Sequence, residues 1–222
     1  MTGRGVSCNR RYSMRMRRKP NLDLRIEKCA HLLVAQPEEL RGRWLQEFAA
    51  KELRLELGCG KGRFTVETAK AEPDVFFAAF EKTANVMVIA LEHASLEKLE
   101  NVRFVHVYID DLTRYFAPGE LSMIYLNFSD PWPSNRYAKR RLTSQRYLEQ
   151  YAQLLRPGGE VHFKTDNLPL FEFSLQEFER CGFTLRDETR DLHKNGPAGV
   201  LTDYEAKFIS QGLPIYECVV SI

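Results

Sequence analysis

The run Leu53-Arg54-Leu55-Glu56-Leu57-Gly58-Cys59-Gly60-Lys61-Gly62-Arg63-Phe64 restricts this chain to a narrow set of folds. It reads as a buried strand that ends in glycines and passes directly into a helix. Glycine at that point permits a tight turn and lets a ligand approach the backbone with no Cβ in the way. The first N–H groups of the following helix have no partner inside it and can face a ligand. The rest of the chain repeats the alternation. Candidate strands lie at 53–57, 75–80, 102–107, 121–128, 160–165, 183–188 and 214–220, with helical stretches at 63–71, 84–99, 144–155 and 170–181. Short β-branched and aromatic runs separated by amphipathic helices pair in parallel through βαβ crossovers. The expected fold is therefore α/β, a doubly wound, mostly parallel sheet of seven strands with helices on both faces. Before it, 37–50 reads as a short helix with Leu40, Trp44, Leu45 and Phe48 on one face. Gly158-Gly159 after Pro157 is expected to end one helix and launch the next strand.

The glycine spacing bears on the ligand. A dinucleotide turn, GxGxxG, would place its third glycine at 63, but that residue is Arg63. The glycines stand instead at 58, 60 and 62, with Glu56 two positions before the first. A pyrophosphate would be repelled by Glu56. S-Adenosylmethionine carries no phosphate; it brings an α-ammonium and a sulfonium, and a carboxylate beneath the turn suits both. Glu81 lies 21 residues after Gly60, near the usual spacing for an acid that holds ribose hydroxyls. Glu56, Gly58, Gly60 and Glu81 are thus the expected cofactor residues. This stretch resembles the cofactor half of the Rossmann-like class I methyltransferases, a family that adds an acid or Asn near the end of the third strand to recognise adenine. Tyr108, Asp110 and Asp111 compete for that position, and Asp110 is preferred.

The fourth strand leads into Ser129-Asp130-Pro131-Trp132-Pro133. In an open parallel sheet, strand carboxyl ends line the ligand crevice, so Asp130 should stand beside the cofactor. Trp132 offers a flat face for a base. Behind it come Arg136, Lys139, Arg140, Arg141 and Arg146 with no acid among them, and residues 1–28 hold nine Lys or Arg against Asp23 and Glu27. On a net charge of only +2, such blocks point to a polyanionic partner. A stacking ring beside a cationic groove is how single-stranded nucleic acid is held. Five scattered cysteines show no CxxC pair and no zinc spacing, so no metal is expected. No apolar run is long enough for a membrane span, and a cytoplasmic location is expected. Residues 1–30 read as a flexible basic arm and 31–222 as one domain; the sequence is compatible with a monomer or a homodimer.

The string DPWPSNRYAKRRL resembles the signature of bacterial tRNA (guanine-N7-)-methyltransferases. The basic opening at 14–20, Phe163-Lys164-Thr165-Asp166-Asn167 and Leu201-Thr202-Asp203-Tyr204-Glu205-Ala206-Lys207-Phe208 agree with the same family. The resemblance implies transfer of the methyl group of S-adenosylmethionine to N7 of a variable-loop guanosine in tRNA. It implies that Asp130 is the catalytic acid and also touches the cofactor. Substrate contacts carried over are Asp166, Thr202, Asp203, Tyr204 and Glu205, and the family's Lys after PWP, which is Ser134 here. Arg136, Lys139, Arg140 and Arg141 are expected on the tRNA backbone. Rival readings are a methyltransferase for a small molecule or protein, a nucleotide-dependent oxidoreductase, and a non-catalytic RNA-binding module.

Overall fold

The computed structural model describes residues 18–194, 196 and 199–222. Helix α1 (Leu22–Lys28) and the short α2 (Trp44–Glu47) precede β1 (Glu52–Leu57), α3 (Arg63–Ala71), β2 (Val75–Glu81), α4 (Ala84–Leu96) and β3 (Val102–His106). Then follow β4 (Leu121–Asn127), α5 (Gln145–Leu154), β5 (Leu155–Thr165), α6 (Leu168–Arg180), β6 (Thr184–Thr189), α7 (Asp203–Ser210) and β7 (Tyr216–Ser221). The seven strands form one sheet in the order β3-β2-β1-β4-β5-β7-β6, parallel except for β7, which runs antiparallel to both neighbours. This is the expected doubly wound fold.

Strand β2 shows why helices cover both faces. All seven of its residues are buried, as in a strand covered on both sides. Phe76, Ala78 and Phe80 join one apolar cluster with Trp44, Leu148 and Phe171, while Val75, Phe77 and Ala79 join the other with Val66, Ala90 and Leu91. Side chains that alternate across a pleated strand feed two separate cores.

Three expectations change. The 37–50 helix is interrupted, because Gly42 takes φ +75 and its N–H donates to Glu120 Oε2 at 2.9 Å. The Pro157-Gly158-Gly159 signal does not separate helix from strand. Strand β5 already starts at Leu155, runs through Gly158 at φ +74, and shifts register against β4 there. Nor does the packed domain begin at 31. Helix α1 lies on α4, with Arg25 donating to both Glu92 oxygens at 2.6 and 2.7 Å and with Leu22 and Cys29 buried. Residues 1–17 of the basic arm, including most of the 14–20 motif, lie outside the described residues.

Two of the turn glycines serve different ends. A Cβ on Gly58, at φ +84, would meet nothing within 4 Å, because that side is cleft. A Cβ on Gly62, at φ +78, would lie 2.4 Å from Ala90 Cβ and 2.9 Å from Ala90 Cα. At Gly62 the turn that leads into α3 comes directly against α4. Gly62→Ala is expected to lose about 2–5 kcal/mol, combining left-handed strain with overpacking. Gly58→Ala should lose only the strain, about 1–2 kcal/mol. Urea midpoints of the two variants check the difference.

Candidate active site

The strand order reverses between β1 and β4, and at such a switch point the carboxyl ends of the strands open a crevice. Here the crevice measures about 570 Å³, within the range of small-molecule sites. Its floor is Glu56, 2% exposed. One carboxylate oxygen accepts from the Thr65 hydroxyl, and the other accepts from Asn127 Nδ2 at 3.0 Å. Thr65 sits in the first turn of α3 and Asn127 at the end of β4, so three elements meet on one carboxylate. Burial raises the Glu56 carboxyl above its ordinary pKa; the Thr65 and Asn127 hydrogen bonds oppose this, and the charge of Glu81 adds to it. Beside it, Asn127 Oδ1 is buried with no hydrogen-bond partner among the described residues. A reluctant carboxylate next to an unpartnered acceptor is suited to a cation that donates N–H groups.

Glu81 ties the glycine turn to the start of α4. Its oxygens accept from the N–H of Gly60 at 3.1 Å and of Thr83 at 2.8 Å, and each keeps a further lone pair for a ligand hydroxyl. Gly58, Gly60, Glu56, Glu81, Asp130, Thr202, Tyr204 and Arg140 all line the cleft.

Asp130 stands on a wall of the cleft with its side chain 62% exposed, and it is ion-paired: Lys82 Nζ donates to its Oδ2 at 2.9 Å. Burial pushes the Lys82 ammonium down, but the hydrogen bond and charge of Asp130 outweigh it and leave its pKa raised. The loop carrying Asp130 is strained, since Phe128 and Trp132 hold φ of 53° and 41°, a region costly for bulky side chains. Arg141 clamps it, donating to the carbonyls of Pro131 and Trp132 at 3.1 and 3.0 Å. Arg141 is only 8% exposed, so it serves this loop rather than an RNA backbone. That is a correction to its expected place among the phosphate contacts.

Several other expected residues fall outside the cleft lining. Asp110 is exposed and its carboxylate is held by Arg146, while Asp111 caps the turn after it by accepting from Thr113 N–H at 3.0 Å. Tyr108 and Ile109 line the cleft there instead. Ser134, Asp166, Arg136 and Lys139 are exposed beyond the lining. Glu205 is fully buried. Its Oε2 accepts from Thr202 N–H at 2.6 Å and its own N–H donates to the Thr202 hydroxyl at 3.0 Å, a capping box that starts α7. Its Oε1 pairs with Lys164 Nζ at 3.3 Å and lies 3.4 Å from His193 Nε2. Glu205 therefore holds the Thr202–Tyr204 segment in place and has no free face for substrate. Tyr204 is exposed and stacks on Phe128 at 5.7 Å. The Asp203 side chain lies outside the described residues.

Sequence reasoning missed Thr65, Asn127 and Lys82. Thr65 and Asn127 carry a usable signal, a polar residue in the turn-following helix and one closing the fourth strand. Lys82 carries only its position after Glu81. Lys61, Arg63, Lys82, Arg140 and Lys207 surround the acids in the lining. Among the described residues, no group of three or more His, Cys, Asp or Glu could hold a metal ion, and no helix is long and apolar enough to cross a membrane.

Residues 50–218 match the model of a family described as "Putative methyltransferase". Among solved structures, the chain is similar to the 16S rRNA methyltransferase KamB at 18% identity, covering 85% of this chain and 93% of that one, with a TM-score of 0.59. A SAM dependent methyltransferase from Aquifex aeolicus is 14% identical over 88% of this chain and 97% of its own, with a TM-score of 0.55. TrmN from Thermus thermophilus is 20% identical over 80% of this chain and 46% of its own, with a TM-score of 0.54. At such identities the structural likeness speaks for the fold alone. The family match, together with a cleft floor built for a cation that donates N–H groups, supports S-adenosylmethionine as the cofactor. With the match spanning well over half of its length and enclosing this cleft, the chain belongs to that methyltransferase family.

Proposed function

We propose that this protein transfers the methyl group of S-adenosylmethionine to N7 of a guanine in tRNA, the variable-loop guanosine, leaving N7-methylguanosine and S-adenosylhomocysteine. One observation carries this reading. Asp130, Trp132 and Arg140, all from the DPWPSNRYAKRRL string, line the same cleft that Glu56 floors.

When bound, the cofactor supplies an electrophilic methyl carbon on a sulfonium. Glu56 and Asn127 Oδ1 accept from its ammonium, Glu81 accepts from ribose hydroxyls, and Tyr108 and Ile109 flank the adenine in place of Asp110. Asp130 accepts from the guanine N1–H and exocyclic N–H groups and so directs N7 inward. N7 of neutral guanine already carries an unprotonated lone pair, and no side chain has to remove a proton for the new bond to form. Holding the reacting atoms in line supplies up to about 7–11 kcal/mol of barrier lowering. The base becomes cationic as it is methylated, and the carboxylate of Asp130 gains attraction as that charge develops. Thr202 and Tyr204 complete the base pocket, with Glu205 and Lys164 fixing their segment. Asp166, Ser134, Arg136 and Lys139 are assigned to RNA outside the pocket.

The test is incubation with methyl-labelled S-adenosylmethionine and unmodified bulk tRNA, followed by borohydride–aniline cleavage to locate the label. Label at the variable-loop guanosine supports the assignment. Label at another guanine overturns the site, and unlabelled RNA overturns the substrate.

A further inference from the structure

Beyond the target base, a cluster of aromatic rings and cations stands on the rim of the cleft, outside both hydrophobic cores. Trp132 and Tyr137 have ring centroids 6.0 Å apart with their planes tilted by 56°, and neither ring belongs to either hydrophobic core. The Arg140 guanidinium lies 5.0 Å from the Trp132 centroid and 4.9 Å from that of Tyr137, and Arg136 lies 5.7 Å from Tyr137. Arg136, Lys139 and Arg140 have no acidic partner among the described residues, although acids pair with Lys82 and Arg146 nearby. The cluster is also built rather than incidental. Arg141 holds the Pro131 and Trp132 carbonyls from beneath, Trp132 keeps a strained φ of 41°, and the turn at Asn135–Arg140 is closed by Tyr137 N–H donating to Ser134 O at 2.9 Å. Trp132 and Arg140 face the cleft, whereas Tyr137, 37% exposed, lies outside its lining. Rings that lead outward from the cleft beside cations without acidic partners match a strand of nucleic acid leaving the pocket, because bases stack on rings while phosphates meet arginine.

We propose that Tyr137, with Arg140 and Arg136, forms a stacking subsite for the nucleotide adjoining the target guanine, its base on the Tyr137 ring and its phosphate on the arginines. The subsite rests on the RNA reading above and adds a residue to it, since Tyr137 touches neither the cofactor cleft nor the target base. It also means that the enzyme binds the target region as single-stranded RNA with the neighbouring base unstacked from its helix.

The experiment is a cycle between protein and RNA. A tRNA transcript with the target guanosine intact is compared with one carrying abasic sites on both sides of it, using wild type, Tyr137→Ala and Tyr137→Phe. Binding is measured by filter retention and methylation as kcat/KM. Loss of one base–aromatic stack is expected to cost wild type about tenfold on the abasic RNA. Tyr137→Ala should lose a similar factor on intact RNA and nothing further on the abasic RNA, while Tyr137→Phe keeps the wild-type pattern. An unchanged S-adenosylmethionine Kd in Tyr137→Ala shows that its fold is intact. If wild type methylates both transcripts equally, or the two losses multiply, the subsite is overturned while the tRNA reading stands. If wild type methylates no guanine in the intact transcript, both are overturned.

Discussion

Glu56→Gln is expected to weaken S-adenosylmethionine binding at least thirtyfold while leaving the free protein as stable as wild type or more so. The two effects separate because Glu56 is ill at ease until a cation arrives. Its burial raises the carboxyl pKa in the ligand-free protein, so ionising it costs stability. The folded pKa lies above the unfolded one; the native state therefore holds the proton more tightly, and stability falls as pH climbs from the ordinary glutamate value of 4.5 toward the folded value. Glutamine removes that cost. It also preserves the local bonds, because its carbonyl can accept from Asn127 Nδ2 while its NH₂ donates to the Thr65 hydroxyl. What it cannot do is balance an ammonium. Removing one partner of a desolvated charge pair costs about 2–5 kcal/mol, a factor of about thirty or more in Kd. The same linkage gives a pH signature. Wild-type affinity should rise with pH above 4.5 as Glu56 ionises, and Glu56→Gln should lose that slope. Calorimetric titration across pH, with thermal melts of the free proteins, reads both effects.

Asp130→Ala should show the opposite profile, with a large loss of rate and little change in stability. The Asp130 side chain is 62% exposed and its ion pair to Lys82 is solvated, so the pair adds little to folding. Its proposed work is to hold the guanine and meet the positive charge that methylation creates. Removing one such preorganised group costs about 10²–10³ in rate. Asp130→Asn keeps an acceptor oxygen and should fall in between. In single-turnover assays the wild-type rate is expected to stay flat from about pH 6 to about pH 8.5, because N7 carries its lone pair already and needs no deprotonation. A rate that climbs through that window and flattens in Asp130→Asn would make Asp130 a proton acceptor and contradict the mechanism.

Much of the fold was legible because it is written in local patterns. The glycine turn and α3 stand where the spacing placed them, and every strand but β5, which starts at Leu155 instead of 160, lies within two residues of its expected position. The short helices were less legible. Helix α1, seven residues of mixed polarity, is held by its contacts with α4, and tertiary packing of that kind leaves no periodic trace. Helix α7 did carry a readable start, Thr202 three residues before Glu205, the pattern of a capping box. At the site, residue type exposed the acids but not their partners. Arg141 and Arg140 are adjacent arginines in one string, yet one is a buried clamp and the other lines the cleft. Asp110 and Asp130 are both aspartates after parallel strands, yet Arg146 draws the first away from the cleft. Such differences depend on which neighbour arrives from a distant segment.

The most direct measurement replaces a single atom of the substrate. A tRNA carrying 7-deazaguanosine at the variable-loop position has C–H where N7 should be, with its Watson–Crick edge unchanged. The protein should bind this RNA as tightly as the guanosine form, still bind S-adenosylmethionine, and transfer no methyl group to it, while the guanosine form is labelled. Equal labelling of the two RNAs would place the methyl group on another atom and contradict the account.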